Sequence, residues 1–123
     1  DVAHLEVDGE VALKDIHKLR ILAAQHRGTS AQWLAGNTGL NSKLKSLEGD
    51  MAKALLQAAT VLLASMFSAD ASKQLKALKG QWSALLHNNL ESMGPAQSFV
   101  KHGEWVVKVN RLVDTVATES GLI

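Results

Sequence analysis

The hydrophobic positions of this chain recur every three or four residues, which is the spacing of amphipathic α-helices. No stretch rich in valine, isoleucine or threonine alternates with period two, and Pro95 is the single proline, so the pattern disfavours β-sheet. Four helices are predicted, at about residues 9–27, 40–67, 69–88 and 95–119. The chain is therefore predicted to be all-α.

Each predicted helix carries one apolar face. The second helix has the longest, and its apolar residues are spaced alternately by four and three positions almost without exception. Such a face is typical of a helix that packs lengthwise against its neighbours. The faces of the first two helices are Ala12, Ile16, Leu19 and Ala23, then Leu40, Leu44, Leu47, Met51, Ala54, Ala58, Val61 and Ser65. Those of the last two are Ala71, Leu75, Leu78, Trp82 and Leu85, then Phe99, Val106, Val109, Val113 and Val116.

The connections between these helices are short. A break is expected at residues 28–30, followed by a short helix or turn through residues 33–34 and a clear stop at residues 36–39. Ser68 is expected to cap the third helix, and Pro95 suits the first turn of the fourth. Short loops between long helices favour antiparallel neighbours, so residues 1–123 are predicted to form one up-down-up-down four-helix bundle.

Composition narrows the function classes. Thirteen basic and twelve acidic residues give a net charge of +1, which argues against a nucleic-acid binder. The absence of cysteine excludes disulfides, thiol nucleophiles and cysteine metal sites. No arrangement typical of a catalytic centre is visible in the sequence, so this domain is not expected to be an enzyme.

An even number of antiparallel helices would place Asp1 and Ile123 at the same end of the bundle. A sensor domain inserted between two transmembrane helices needs that arrangement, and the closing Gly121, Leu122 and Ile123 are interpreted as a possible beginning of the second such helix. A free-standing bundle of four helices would also have adjacent ends, so both interpretations stay open.

One segment is more distinctive. Residues 25–36 read QHRGTSAQWLAG. This resembles the Q-(H/E)-R-G-x-S-x-x-x-L-x-G segment of nitrate/nitrite-sensing-type (NIT-like) domains, which lie outside the membrane in bacterial histidine kinases and chemoreceptors. The usual domain is about twice as long as this chain, and a short relative would be similar to the sensor region of beta-lactam-responsive kinases.

The resemblance implies a periplasmic domain of an inner-membrane histidine kinase, acting as a homodimer and passing a signal by helix displacement. Its ligand would be a small molecule, either an anion such as nitrate or an antibiotic. The alternatives are a chemoreceptor sensor domain and a helical adaptor that binds a partner protein.

The candidate ligand-binding residues are His26, Arg27, Thr29, Ser30 and Trp33. The guanidinium of Arg27 offers a planar fork of donors to an anion, and a helix start at Thr29 and Ser30 would add free N–H groups. The alternative is structural, with Arg27 paired to a local carboxylate and Gly28 ending the first helix.

Other residues suggest weaker hypotheses. Haem held by Met51 and His102 is conceivable, although methionine usually fills gaps in a core and His102 could lie at its boundary. Trp82 is predicted to be core, whereas Trp105 is predicted to be half-exposed at an interface or a ligand cleft. Three lysines form a stripe on the third helix, which would matter for an acidic ligand only beside a concave site. They are Lys73, Lys76 and Lys79.

Overall fold

The computed structural model describes the backbone of residues 2–65 and 69–121, and the side chains from residue 7 onward within those ranges. These residues form five α-helices, connected in part by two single-turn 3-10 helices, and contain no strand, which confirms the all-α prediction. The helices are α1 (Val2–Leu34), α2 (Asn41–Ala64), α3 (Ala69–Trp82), α4 (His87–Leu90) and α5 (Pro95–Glu119). The 3-10 turns are Thr38–Leu40 and Ser83–Leu85.

The four longer helices pack around one core. Helix α1 contacts α2 and α5, and α3 contacts the same two helices, while the short α4 lies against α1. The largest side chains that are fully enclosed are Trp105, Ile16, Leu19, Leu44, Met51, Leu78, Leu90 and Leu112. None of the described helices has the length and hydropathy that a membrane span requires.

The predicted apolar faces of the first and third helices are confirmed, because every residue in them is buried. The face predicted for the last helix is wrong at its beginning, since Phe99 is 47% exposed and Val106 is only partly buried. Hydropathy alone did not predict which residues of α5 face the core, because the buried face of this helix includes polar side chains. That face is Ser98, His102, Trp105, Val109, Leu112, Val116 and Ala117.

Helix α1 does not break at residues 28–30, so the predicted end of the first helix at residue 27 is wrong. Glycine inside a helix costs only about 1 kcal/mol relative to alanine. Burial of His26, Thr29 and Ser30 around Gly28 holds the chain helical there. The structural alternative, in which Gly28 caps the helix, is wrong for the same reason.

The helix ends instead at Gly36, whose φ of +118° suits glycine and strains other residues. The N–H of Gly36 donates to the carbonyl of Trp33, and the N–H of Asn37 donates to the carbonyl of Gln32. This pair of hydrogen bonds is the Schellman motif that closes many helices. The stop predicted at residues 36–39 is therefore confirmed.

The third predicted helix, residues 69–88, is interrupted. Helix α3 ends at Trp82, and Leu86 is extended, with φ −60° and ψ 141°. Beyond it the N–H of His87 donates to the Glu48 carboxylate, an interaction that sequence spacing does not reveal. Ser68, the predicted cap, lies outside the described residues, whereas Pro95 is in the first turn of α5 as predicted.

Candidate functional site

A chain of polar side chains crosses the core where four helices meet. His87 Nδ1 lies 2.8 Å from Glu48 Oε1, and Glu48 Oε2 lies 2.7 Å from His26 Nε2. His26 Nδ1 is then 2.8 Å from His102 Nε2, and His102 Nδ1 is 2.7 Å from the Ser98 carbonyl oxygen. We call these five residues the histidine–glutamate network. It joins α1, α2, α4 and α5.

Helical spacing assembles the two inner parts of this network. On α1 the Ser30 hydroxyl lies four residues and 3.3 Å from His26 Nδ1, and on α5 the Ser98 hydroxyl lies four residues and 3.4 Å from His102 Nδ1. Residues four apart share one face of a helix, so each histidine has its serine beside it. Both pairs are buried.

Burial sets the electrostatics of the network. His26 and His102 are 0% exposed, whereas the Glu48 side chain keeps 14% of its surface exposed. Trp82 packs on both histidines, with ring centroids 5.0 Å from His26 and 6.2 Å from His102, and Trp105 packs on Trp82. The charge of Glu48 is therefore near solvent, and the two histidines are enclosed by aromatic rings.

Trp105 is 2% exposed, so the prediction that it is half-exposed is wrong. Its indole N–H donates to the Leu78 carbonyl at 3.0 Å, which satisfies its polar atom inside the core and ties α5 to α3. His102 is likewise a core residue rather than a boundary residue.

The carboxyl of Glu48 favours its charged form. Burial alone would raise its pKa, but hydrogen bonds from the His26 ring and from the backbone N–H and ring of His87 outweigh burial and lower the pKa below its ordinary value. Glu48 is therefore a carboxylate at neutral pH.

The two inner histidines favour their neutral forms. Burial lowers the pKa of His26, against the opposing hydrogen bond and charge of Glu48. Burial also lowers the pKa of His102 to about 4, against the hydrogen bond to the Ser98 carbonyl, and the nearby charges of His26 and Arg27 add to the lowering.

With Glu48 ionised and both histidines neutral, the N–H donors of His102 and His26 both point along the network toward Glu48. The carboxylate accepts from His26 Nε2, so His26 Nδ1 must accept from His102 Nε2. His102 Nδ1 then carries a lone pair, which the Ser98 hydroxyl satisfies but which opposes the Ser98 carbonyl oxygen. The ionised network thus contains one mismatched contact on α5.

Neutralising position 48 reverses that direction. A protonated Oε2 of Glu48 would give its hydrogen to His26 Nε2 while still accepting from the His87 backbone N–H, and His26 Nδ1 would donate to His102 Nε2. His102 Nδ1 would then donate to the Ser98 carbonyl, and every contact of the two inner histidines would be matched. With both histidines neutral, the contact between α1 and α5 therefore has two hydrogen-bond arrangements, and the charge of Glu48 selects between them.

The outer end of the network is accessible from solvent. A cleft of about 410 Å³ lies over His87 and Trp33, and Lys45 contributes to its wall. A second cleft, of about 550 Å³, is lined by Glu48 and Trp82. A bound molecule in either cleft would lie beside the group that sets the direction of the network.

The structure brings three of the five predicted ligand-binding residues to this network. His26 is its centre, Ser30 is beside His26, and Trp33 meets the ring of His87 edge-on at 5.6 Å between centroids. Trp33 also lines the cleft over His87. Ligand binding by these residues stays a prediction.

Arg27 and Thr29 lie differently from the prediction. Thr29 donates to the carbonyl of Gln25, and because α1 continues there, the helix start expected at Thr29 and Ser30 does not exist. The guanidinium of Arg27 stacks on Phe99, 4.4 Å from the ring centroid, and forms no ion pair with a described carboxylate. The structural alternative of a local carboxylate partner is therefore wrong.

The haem hypothesis assigned His102 as a ligand, but both ring nitrogens of His102 have partners in the network. Among the described residues, no group of three or more metal-binding side chains is arranged to hold a metal ion.

Sequence reasoning missed Glu48, His87 and the role of His102. Glu48 follows Leu47 on the apolar face of α2, and His102 falls four residues after Ser98, but such spacing is common in ordinary helices. The usable signal was His102, a polar residue at a buried position of α5, although its hydropathy had suggested a place at the boundary of the core. No protein-family model, curated protein or solved structure matches this chain.

Proposed function

We propose that this chain is a ligand-sensing domain of a bacterial two-component histidine kinase, located in the periplasm and working as a homodimer. In this proposal the four longer helices form an up-down-up-down bundle. Its signal is a small displacement of α1 relative to α5, the two helices that would continue toward the membrane.

The single observation that carries this proposal is the His26–His102 contact in the core between α1 and α5. Buried polar groups are costly unless fully paired, and apolar side chains of similar size would serve stability equally well. A polar contact with two hydrogen-bond arrangements offers something that an apolar contact lacks, namely a packing that responds to a charge elsewhere.

Glu48 and His87 supply the route from the surface to that contact. Both lie at clefts, and Glu48 hydrogen bonds directly to His26. A ligand transmits a signal only if it binds the two arrangements with different affinity. A molecule that changes the charge or the hydrogen bonding of Glu48 meets that condition.

The reading frame of the parent gene tests the proposal. We expect apolar runs of about 20 residues on both sides of this segment, followed by a cytoplasmic kinase region. A chemoreceptor signalling region in that position would support the sensor role with a different output. Polar flanks on both sides would contradict the sensor role altogether.

A second candidate function is a helical adaptor that binds a partner protein in a groove. The observation that favours it is the exposure of Leu56 and Leu63 on α2, at 66% and 78%. Exposed apolar patches often mark interaction sites.

A further inference from the structure

An apolar groove runs between α2 and α3. Its upper part is a cleft of about 280 Å³ whose wall is mostly leucine and alanine. Its lower part is the 550 Å³ cleft that reaches Glu48. Leu55, Leu56 and Lys79 line both parts, so the groove is continuous. The remaining residues of the upper wall are Ala59, Leu63, Ser72, Leu75 and Lys76.

Two cations lie on the rim of this groove. Lys76 and Lys79 line the upper cleft, and neither forms an ion pair among the residues that the structure describes. Both are exposed. Lys73, the third member of the stripe, does not line either cleft. The concave site that this stripe needs in order to attract an acidic ligand is therefore present beside two of its three members.

We propose that this groove binds an amphipathic anion, a molecule with an apolar body and one carboxylate, sulfonate or phosphate group. The apolar body would lie against Leu55, Leu56 and Leu63, and the anionic group would lie at Lys76 and Lys79. Ligand sites usually combine an apolar lining with a few placed polar groups, in clefts of roughly 300–1,000 Å³. Charge complementarity favours an anion over a neutral or cationic amphiphile.

The position of the groove links it to the network. Its lower part is lined by Glu48 and by Trp82, whose indole N–H has no hydrogen-bond partner among the described residues. An occupant that extends downward reaches both. The idea that this anion is the sensed ligand rests on the proposed function, whereas binding in the groove does not.

Calorimetric titration with decanoate, below its micelle concentration, tests the proposal on this chain. We expect saturable binding of decanoate and clearly weaker binding of decanol and of decyltrimethylammonium. The double variant Lys76→Gln with Lys79→Gln should weaken decanoate binding about tenfold, because two partly exposed charge interactions are removed. Lys73→Gln is the matched control on the same helix and should bind as the parent does.

Equal binding of all three amphiphiles, or no binding of any, would overturn the proposal. So would equal decanoate affinity in the double variant. The other candidate occupant of the groove is a second copy of the chain, and sedimentation of the parent chain and of Leu56→Glu tests for it. A dimer that this substitution dissociates, with no effect of decanoate on the parent, would assign the groove to a second copy of the chain. If the parent gene encodes polar sequence on both sides of this segment, the sensor role is contradicted, whereas these binding results are unaffected.

Discussion

Glu48 occupies an unusual position for a single residue, because it accepts hydrogens from three groups on two other helices. His26 Nε2, His87 Nδ1 and the His87 backbone N–H all lie within 2.9 Å of its oxygens. A carboxylate can accept all of these, whereas a carboxamide has one accepting oxygen and a donating nitrogen. The charge of this side chain therefore determines which way the hydrogens run through His26.

The tautomer of His102 reports that direction. In the parent chain at neutral pH we expect hydrogen on His102 Nε2, since it must donate to His26. In Glu48→Met no acceptor faces His26 Nε2, so the Ser98 carbonyl should draw the hydrogen of His102 onto Nδ1. Nitrogen-15 NMR of the histidine rings distinguishes the two tautomers. Lys43→Gln, a change at an exposed position on the same helix, should leave the parent pattern unchanged. The same His102 tautomer in all three proteins would refute the reversal.

The pKa of His102 also predicts how stability depends on pH. A pKa lowered to about 4 means that the unfolded chain binds this proton between pH 6.5 and 4 while the folded chain does not. The free energy of unfolding should therefore fall on acidification through that window, by on the order of 3 kcal/mol from His102 alone. Lowering of the His26 pKa acts in the same direction.

Denaturant unfolding of His102→Gln, measured from pH 7 to pH 4, checks this. Glutamine does not titrate, so the loss of stability on acidification should be clearly smaller than in the parent. His17→Gln, which changes an exposed histidine on α1, should retain the full loss. A parent-like slope in His102→Gln would show that His102 does not carry the effect.

At the scale of helices, much of the structure was predictable from spacing. The faces of α1 and α3 and the start of α5 follow directly from where leucine, alanine and proline occur. The errors arose where local signals conflict with packing. Gly28 suggests a helix end, but burial on both sides of it outweighs the propensity, and Gly36 ends the helix because only glycine suits its φ.

Alanine at these two glycines should have opposite effects. At Gly28 an added Cβ meets nothing within 4 Å inside a helix, so Gly28→Ala should stabilise the chain by about 0.5–1 kcal/mol. At Gly36 the φ of +118° strains any side chain, so Gly36→Ala should destabilise it by about 1–3 kcal/mol. Chemical denaturation of both variants measures this. Destabilisation by Gly28→Ala would mean that α1 is not continuous there.

The candidate site could be predicted only in part, for a physical reason. The resemblance at residues 25–36 selected His26, Ser30 and Trp33, which the fold brings to the network. Glu48, His87 and His102 come from three other helices, and only the packing of those helices makes them neighbours. Spacing along one helix cannot reveal a contact that depends on the register between helices.

For the whole molecule, the network connects the parts that a sensor would need to couple. Helices α1 and α5 pack along each other and meet at His26 and His102, while Glu48 on α2 hydrogen bonds to His26 and lines a cleft. Packed helices commonly respond to such changes by shifts of about 1–2 Å. We therefore propose that the charge of Glu48 sets how α1 packs on α5.

The distance between spin labels on α1 and α5 measures how these two helices pack. The chain has no cysteine, so Ala24→Cys and Lys108→Cys, both exposed, would carry the only labels. We predict that Glu48→Met shifts the mean distance by about 1–2 Å at neutral pH, and that Lys43→Gln leaves it unchanged. An identical distance distribution in folded Glu48→Met would show that the Glu48 carboxylate does not control the packing of the two helices.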